Sequence, residues 1–275
     1  MASRDAELPA ESGAAQSAAT ESIVVVSDDR CTGAAGCDAV SVFGLPSLDL
    51  VFRGPHLYCS PGRLAADRAL SVVVAQPSNG NSSKLLVTRR AGPLAQDWAA
   101  ELVAAPSGLL VLGGVALKPD GADLLVAVSV SARPPQQVSF WPPYAVYKYR
   151  MAEIAGAQLG PDRGRLSTDS GMPFEILVAA DGSLAHILTN TGELRTVAVD
   201  TMAEVAAPVA FGRLPRMLNR LGSLHASLSA DERVVATNLP EGGRVAFVDV
   251  VARTSWTAAL PPGPPSDGVG GVAFN

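Results

Sequence analysis

The chain has 275 residues, of which 48% are hydrophobic and 17% charged. It is long enough for one large domain or two ordinary ones, and it is apolar enough to bury a core, which excludes a disordered polymer. The formal net charge of −5 argues against a nucleic-acid-binding protein, which usually carries a strongly basic surface. The longest charge-free apolar stretch, Leu102–Leu117, falls short of the ~20 residues of a membrane span and contains proline and glycine. We therefore expect a soluble cytoplasmic protein with no membrane partner.

The N-terminal residues Met1–Glu21 are rich in alanine, serine and glutamate and contain no apolar segment, which predicts a flexible tail rather than a secretory signal. A single domain over residues 22–275 follows. The three cysteines Cys31, Cys37 and Cys59 include no CxxC pair, so the sequence predicts no metal and no cofactor. Cys31 and Cys37 are expected to be free thiols in a loop, and a disulfide remains open if the compartment is oxidising.

Short Val-, Leu- and Ala-rich runs alternate with turn residues along the rest of the chain, which predicts strands rather than helices. Four times an apolar strand leads into an aspartate turn and a second strand, at Asp67, Asp120, Asp181 and Asp231. The recurrence at about fifty residues indicates repeats, and four antiparallel strands per repeat are typical of a β-propeller blade. We interpret the four aspartates as turn-forming residues.

The predicted strands in chain order complete this pattern. The first unit contributes a second, third and fourth strand but no first strand. Second strands are predicted at Ser22–Asp28, Ala69–Ala75, Asp123–Ser129, Leu184–Asn190 and Val234–Asn238; third strands at Ala39–Phe43, Lys84–Arg89, Val146–Ala152, Glu193–Asp200 and Arg244–Val250; and fourth strands at Leu48–Arg53, Trp98–Val103, Met202–Ala207 and Ser255–Leu260.

The last residues, Gly270–Asn275, match the start of a first strand at Gly113–Lys118. Pairing of this C-terminal strand with Ile23–Ser27 would close a ring of five blades and remove two open sheet edges. The alternative is that the chain is a fragment of a six- or seven-bladed propeller.

The junction between second and third strands resembles the YVTN family of propeller repeats. Val234–Asn238 followed by Arg244–Asp249 is similar to the YVTN…VxVID pattern, and so is His186–Asn190 followed by Thr196–Asp200. No Gly-His…Trp-Asp signature of WD40 repeats is present. The resemblance implies a propeller used for binding, and similar propellers include lactonases. No lactonase motif matches, so no catalytic residue is transferred to this chain.

In such a blade, the loops between second and third strands share one face with the connections between blades. Five long segments are predicted on this loop-rich face, where binding usually occurs on a rigid scaffold. They are Asp29–Asp38, Pro77–Ser83, Ser131–Ala145, Gly160–Pro173 and Gly212–Gly222.

Two of these segments carry the candidate binding residues. Trp141 and Tyr144 lie beside prolines and are interpreted as exposed anchors for a partner, or alternatively as side chains that plug the channel or cover an adjacent blade. Arginines from two loops predict a cationic patch for carboxylate or phosphate, unless they pair with nearby acids such as Asp162 or Asp169. These arginines are Arg163, Arg165, Arg213, Arg216 and Arg220.

His225 begins a predicted first strand, which places it near the propeller axis. Our main hypothesis is a binding module or scaffold that presents its loop-rich face to a protein or a small anionic ligand. The alternative is a lactonase-like hydrolase that uses His225 or carboxylates in the central channel, although no nucleophile elbow, P-loop or dinucleotide fingerprint appears.

Overall fold

The computed structural model describes residues 23–26, 37–38, 41–44, 49–53, 56–57, 61–77, 84–90, 98–129, 143–169, 171–212, 214, 224–239, 243–260 and 274. These residues form antiparallel β-sheets, and the helical structure among them is a single 3₁₀ turn at Met151–Glu153. No helix in this part of the chain is long and apolar enough to cross a membrane.

The first two sheets follow one another along the chain. Sheet I has the order β1-β3-β4, β2 and β5 form a separate two-stranded ladder, and sheet II has four strands in sequence order. The strands are β1 (Ile23–Val26), β2 (Cys37–Asp38), β3 (Ser41–Gly44), β4 (Asp49–Arg53), β5 (His56–Leu57), β6 (Pro61–Ala66), β7 (Val72–Pro77), β8 (Lys84–Arg90) and β9 (Trp98–Ala104).

Sheets III, IV and V repeat the up-and-down order of sheet II. Sheet IV has a short fifth strand, because β17 pairs with the end of β16 and β18 pairs with its beginning. The strands of sheet III are β10 (Leu110–Leu117), β11 (Asp123–Ser129), β12 (Tyr144–Arg150) and β13 (Arg165–Asp169). Those of sheet IV are β14 (Pro173–Val178), β15 (Leu184–Thr189), β16 (Glu193–Ala198), β17 (Ala203–Glu204) and β18 (Val209–Ala210). Sheet V contains β19 (Ala226–Leu228), β20 (Val234–Leu239), β21 (Arg244–Asp249) and β22 (Thr254–Ala259).

The prediction of repeated four-stranded antiparallel units is confirmed, and the first unit has three strands without a first strand among the described residues. One prediction is wrong: β13 occupies Arg165–Asp169, within the segment Gly160–Pro173 that was expected to be a loop. Alternate residues of β13 are exposed and buried, so this outer strand lacks the apolar run by which the inner strands were recognised.

Sheet III is buried on both faces, because alternate residues of its second strand belong to different apolar clusters. Leu124, Val126 and Val128 pack in a cluster with residues of sheet II. Leu125 and Ala127 pack in a second cluster with residues of sheets IV and V. A strand that is buried on both faces has a near-continuous apolar sequence, and β11 has such a sequence. The sheets therefore pack face to face in series, as propeller blades do.

The first strands of sheets II to V lie side by side at the inner edge of this series. β10 contacts β6 on one side and β14 on the other, and β14 in turn contacts β19. Gly114 permits the approach, because a Cβ at this position would lie 3.1 Å from Cγ1 of Ile176 in β14. The register of β10 against β11 also shifts between Val111 and Val115, which is typical of a bulge at a glycine.

Each first strand runs into an aspartate turn, and the turn-forming interpretation of these residues is confirmed. A carboxylate oxygen accepts a backbone N–H further along the turn in every case. The pairs are Asp67 with Ser71 and Val72 (2.7 and 2.8 Å), Asp120 with Ala122 (2.9 Å), Asp181 with Ser183 (2.8 Å) and Asp231 with Arg233 (3.2 Å). We call this end of the sheets the Asp-turn end and the opposite one the connection end.

At the Asp-turn end a buried lysine joins sheet III to sheet IV. The Nζ of Lys148 donates to the carbonyl oxygens of Val199 (2.9 Å) and Asp200 (2.5 Å), which belong to the turn after β16. A buried ammonium is stable only when its donors are satisfied, so this contact fixes the relative position of two neighbouring sheets.

Candidate functional site

A cavity of about 470 Å³ lies where the first strands of four sheets converge. Most of the side chains that line it are aliphatic, and its polar side chains are a carboxylate and an imidazole. The lining residues are Leu64, Ala65 and Ala66 of β6; Val115, Ala116 and Leu117 of β10; Glu175, Ile176, Leu177 and Val178 of β14; and His225, Ala226 and Leu228 at β19. The cavity, called the channel below, therefore lies at the inner edge that sheets II to V share.

Glu175 and His225 lie toward the connection end of this channel, because each stands near the start of a strand that runs toward the Asp-turn end. Glu175 is buried, and its Oε2 accepts the backbone N–H of Ala226 at 3.4 Å. This contact links sheet IV to sheet V and brings the carboxylate beside the residue that follows His225.

The backbone of His225 is held by the end of the second strand in the same sheet. Its N–H donates to Oδ1 of Asn238 at 2.8 Å, and its carbonyl accepts from Oγ1 of Thr237 at 3.1 Å. The corresponding Asn190 of sheet IV accepts the N–H of Met172 at 2.7 Å, just before β14. Asn190 in sheet IV, and Thr237 with Asn238 in sheet V, thus hold the backbone at the entrance of the inner strands that carry Glu175 and His225.

Hydrogen bonds between successive turns cross the Asp-turn end of the channel. The backbone N–H of Arg68 donates to the carbonyl of Pro119 (2.9 Å), and its guanidinium reaches the carbonyl of Ala180 (3.1 Å), two sheets away. The N–H of Ala180 donates to Glu232 of the next turn. Four turns are therefore joined at this mouth of the channel.

The structure places the predicted aromatic anchor differently from expectation. Tyr144 is 6% exposed and packs in the cluster between sheets III and IV, so it is not an exposed anchor. It begins the buried strand β12, whose register places it opposite Ser129 of β11. Tyr144 therefore covers an adjacent sheet, which is the alternative that the sequence left open. Trp141 lies outside the described residues.

Arg163 and Arg165 lie at the Asp-turn end, since the segment before β13 connects a third strand to a fourth. Arg163 pairs with Glu153, its Nε donating at 2.8 Å, rather than with Asp162 or Asp169. A hydrogen bond with Tyr147 raises the pKa of Arg165. The two members of the predicted cationic patch that the structure describes are thus on the face opposite to the one expected.

The remaining arginines of the predicted patch, Arg213, Arg216 and Arg220, lie outside the described residues. The ends of their segment are fixed at the connection end. Phe211 donates its N–H to the carbonyl of Gly192 there, and Leu224 directly precedes His225.

His186 is not among the cavity-lining residues. It lies in β15, is 2% exposed, and its Nδ1 is 3.1 Å from Oγ1 of Thr196 on the neighbouring strand. Burial lowers its pKa, and the charge of Glu232 opposes this shift only in part. Within the described part of the chain, no three His, Cys, Asp or Glu side chains are grouped so that they could hold a metal ion.

Sequence reasoning placed His225 near the axis but missed Glu175 and Arg68. The available signal for Glu175 was a single charged residue inside the apolar strand Pro173–Val178. Such a residue requires a polar partner when it is buried. Arg68 gave no signal, because an arginine after a turn aspartate is ordinarily solvated.

No protein-family model and no curated protein matches this chain. Among solved structures it is similar to Kuenenia stuttgartiensis hydrazine synthase, with 15% sequence identity and a TM-score of 0.50. The match covers 73% of this chain and 49% of that one, so this chain spans about half its length. At this identity the likeness concerns the fold alone.

We predict that His186 makes stability sensitive to mild acid. Its folded pKa lies below the ordinary 6.5, so the unfolded chain binds a proton more readily. The contribution of neutral His186 to the free energy of unfolding is fully present above about pH 6.5. It is lost progressively as the pH falls toward the pKa of His186 in the folded protein. Thermal unfolding of wild type and His186→Gln should therefore show a smaller loss of Tm between pH 7.5 and 5.5 in the variant. Equal losses in the two proteins would contradict this role.

Proposed function

We propose that this protein is a propeller-like binding module whose ligand enters the central channel from the loop-rich connection end. The observation that carries the proposal is Glu175, a buried carboxylate among the mainly aliphatic side chains of a channel formed by strands of four different sheets. A few convergent polar groups in an otherwise apolar concavity are typical of small-molecule sites.

The chemistry of the lining defines the ligand class. An ionised carboxylate accepts hydrogen bonds and does not donate them, so Glu175 favours an ammonium, guanidinium or hydroxyl group. The aliphatic side chains of Leu64, Leu117 and Leu228 favour an apolar remainder. A ligand with a cationic or donor head and an apolar body suits the channel best. The prediction of an anionic ligand or a protein partner concerns the loop residues Trp141, Arg213, Arg216 and Arg220, and it remains a prediction.

We predict that Glu175→Gln weakens binding of such ligands. The probe is 2-phenylethylammonium, with phenylacetate as an anion of similar shape, and binding is measured by isothermal titration calorimetry. The cation should bind in preference to the anion. Its affinity should fall at least about tenfold in the variant, because a charge-assisted hydrogen bond contributes about 1.5–3 kcal/mol.

Glu101→Gln is the matched control, since Glu101 is exposed on the outer strand β9 and lies away from the cavity. It should bind the cation as wild type does. Equal affinity of wild type and Glu175→Gln, or preferential binding of phenylacetate, would contradict a ligand site at this carboxylate.

A hydrolase of the lactonase type is the second candidate. What favours it is that Glu175 and His225, two side chains able to act as general bases, line one cavity. In this reaction water adds to the ring carbonyl and the ring C–O bond breaks, which leaves a hydroxy acid. One of the two side chains would take the proton from water, and the resemblance to YVTN-type propellers is compatible with such chemistry.

The hydrolase hypothesis predicts proton release from a panel of γ- and δ-lactones, followed by pH-stat titration. His225→Gln and Glu175→Gln should each lower the rate about a hundredfold, the range expected on loss of a general base. Glu101→Gln should retain the wild-type rate. If the wild type turns over no lactone but still binds the cation, the hydrolase hypothesis is contradicted and the binding-module hypothesis stands.

We further propose that the chain forms five blades of YVTN-type repeats, closed where Val269–Asn275 pairs with β1. Support comes from sheet I, in which β1 is the edge strand and no first strand occurs among the described residues. The similarity of Gly270–Phe274 to the glycine-led strand β10 adds to this. The proposed C-terminal pairing lies outside the described residues, apart from Phe274.

Deletion of residues 269–275 should lower Tm by several degrees, because the loss of one strand exposes two sheet edges and a shift of about 1 kcal/mol corresponds to about 2–4 °C. Deletion of residues 1–21 is the control and should leave Tm unchanged. Unchanged Tm in the C-terminal deletion would contradict closure and favour a fragment of a larger propeller.

A further inference from the structure

The channel extends to the Asp-turn end of the four first strands. Its wall there includes the last residue of each strand, and all four of these side chains are aliphatic. They are Ala66 of β6, Leu117 of β10, Val178 of β14 and Leu228 of β19. Since Glu175 lies toward the connection end, a ligand whose cationic head meets Glu175 directs its apolar tail toward the Asp turns.

The N–H and carbonyl groups of Ala180 connect three of the Asp turns at this mouth. The guanidinium of Arg68, in the turn after β6, donates to the carbonyl oxygen of Ala180, in the turn after β14, at 3.1 Å. The N–H of Ala180 donates to Oε1 of Glu232, in the turn after β19. Because sheet III lies between sheets II and IV, the side chain of Arg68 spans the width of a sheet. We call Arg68, Ala180 and Glu232 the strap.

The two charged residues of the strap occupy the same turn position, directly after the turn aspartate. In sheets III and IV this position is glycine, namely Gly121 and Gly182, with φ of 71° and 74°. Glu232 adopts the same left-handed conformation with a φ of 58°, which is unfavourable for a residue with a Cβ. A glutamate at a position that suits glycine points to a role for its contact with Ala180.

The distance from Glu175 to the strap limits the length of tail that fits. Ala180 follows Glu175 by five residues along β14 and its turn, so at most about 16 Å of extended backbone separates them. The contact between an ammonium and the carboxylate takes about 3 Å. An extended alkyl chain advances about 1.3 Å per carbon, given C–C bonds of about 1.5 Å. The space therefore suits a tail of up to about ten carbons.

We propose that the strap closes the Asp-turn mouth of the channel and that Arg68 is a specificity-determining residue, which limits the length of the ligand's apolar tail. The inference rests on the proposed function, because it requires the cationic head at Glu175. Arg68 is exposed, and its backbone N–H donates to the carbonyl of Pro119, a bond that any substitution except proline retains. Loss of its side chain therefore opens the mouth and keeps this contact between sheets II and III.

The test is isothermal titration calorimetry with n-alkylammonium ions from butyl to tetradecyl, each below its micelle concentration. In wild type each added methylene should tighten binding about fourfold until the tail reaches the strap, at or before about ten carbons, and further methylenes should add nothing. In Arg68→Ala the gain should continue, so that tetradecylammonium binds at least about tenfold more tightly than it binds wild type. Butylammonium should bind both proteins equally, because its tail does not reach the strap.

Arg150→Ala is the matched control, since Arg150 is an exposed arginine at the same end of sheet III, on the third strand β12 and away from the channel. It should keep the wild-type length limit, and thermal unfolding checks that each variant is folded. An unchanged limit in Arg68→Ala, or an equal change in affinity at every tail length, would overturn the role of Arg68 and leave the proposed site intact. Absence of binding to the wild type would instead overturn the proposed site and this inference with it.

Discussion

Burial of both faces of sheet III is the constraint on which the rest of this structure depends. In β11, Leu124 and Val126 enter one apolar cluster while Leu125 and Ala127 enter the other, so sheet III requires a neighbouring sheet on each side. Apolar burial at about 25 cal/mol per Å² rewards this stacking, and no single sheet could be stable alone. The central cavity is a geometric consequence, because sheets that stack in series bring their first strands to a common inner edge.

The inner strands are fixed at both of their ends by polar contacts of different kinds. At the connection end, Asn190 and Asn238 bond the backbone just before β14 and β19. At the Asp-turn end, aspartates such as Asp181 accept N–H groups of their own turn, and this hydrogen bonding lowers the pKa of Asp181. Strands held at both ends present Glu175 and His225 in a defined position, which a binding site requires.

The sequence predicted the inner half of each unit better than the outer half. The bounds of β11 agree with expectation, because a strand buried on both faces is a continuous apolar run ended by turn residues. β13 was missed because Leu166 is its only apolar residue, and its buried residues Leu166 and Thr168 alternate with exposed polar ones over only five residues. Because β13 was missed, Arg163 was predicted on the wrong face of the sheets. Tyr144 was taken as exposed because it follows two prolines, although its burial depends on the neighbouring sheet.

Glu175 shows why the candidate site could be only half predicted. Turn aspartates such as Asp120 and Asp231 bond within two residues of their own position, so local sequence reveals their role. Glu175 instead accepts the N–H of Ala226, 51 residues later and in another sheet. An aliphatic side chain at this position would pack between the sheets without the desolvation penalty of a carboxylate. The position of Glu175 therefore depends on a contact between two sheets, which the residues next to it in the sequence do not reveal.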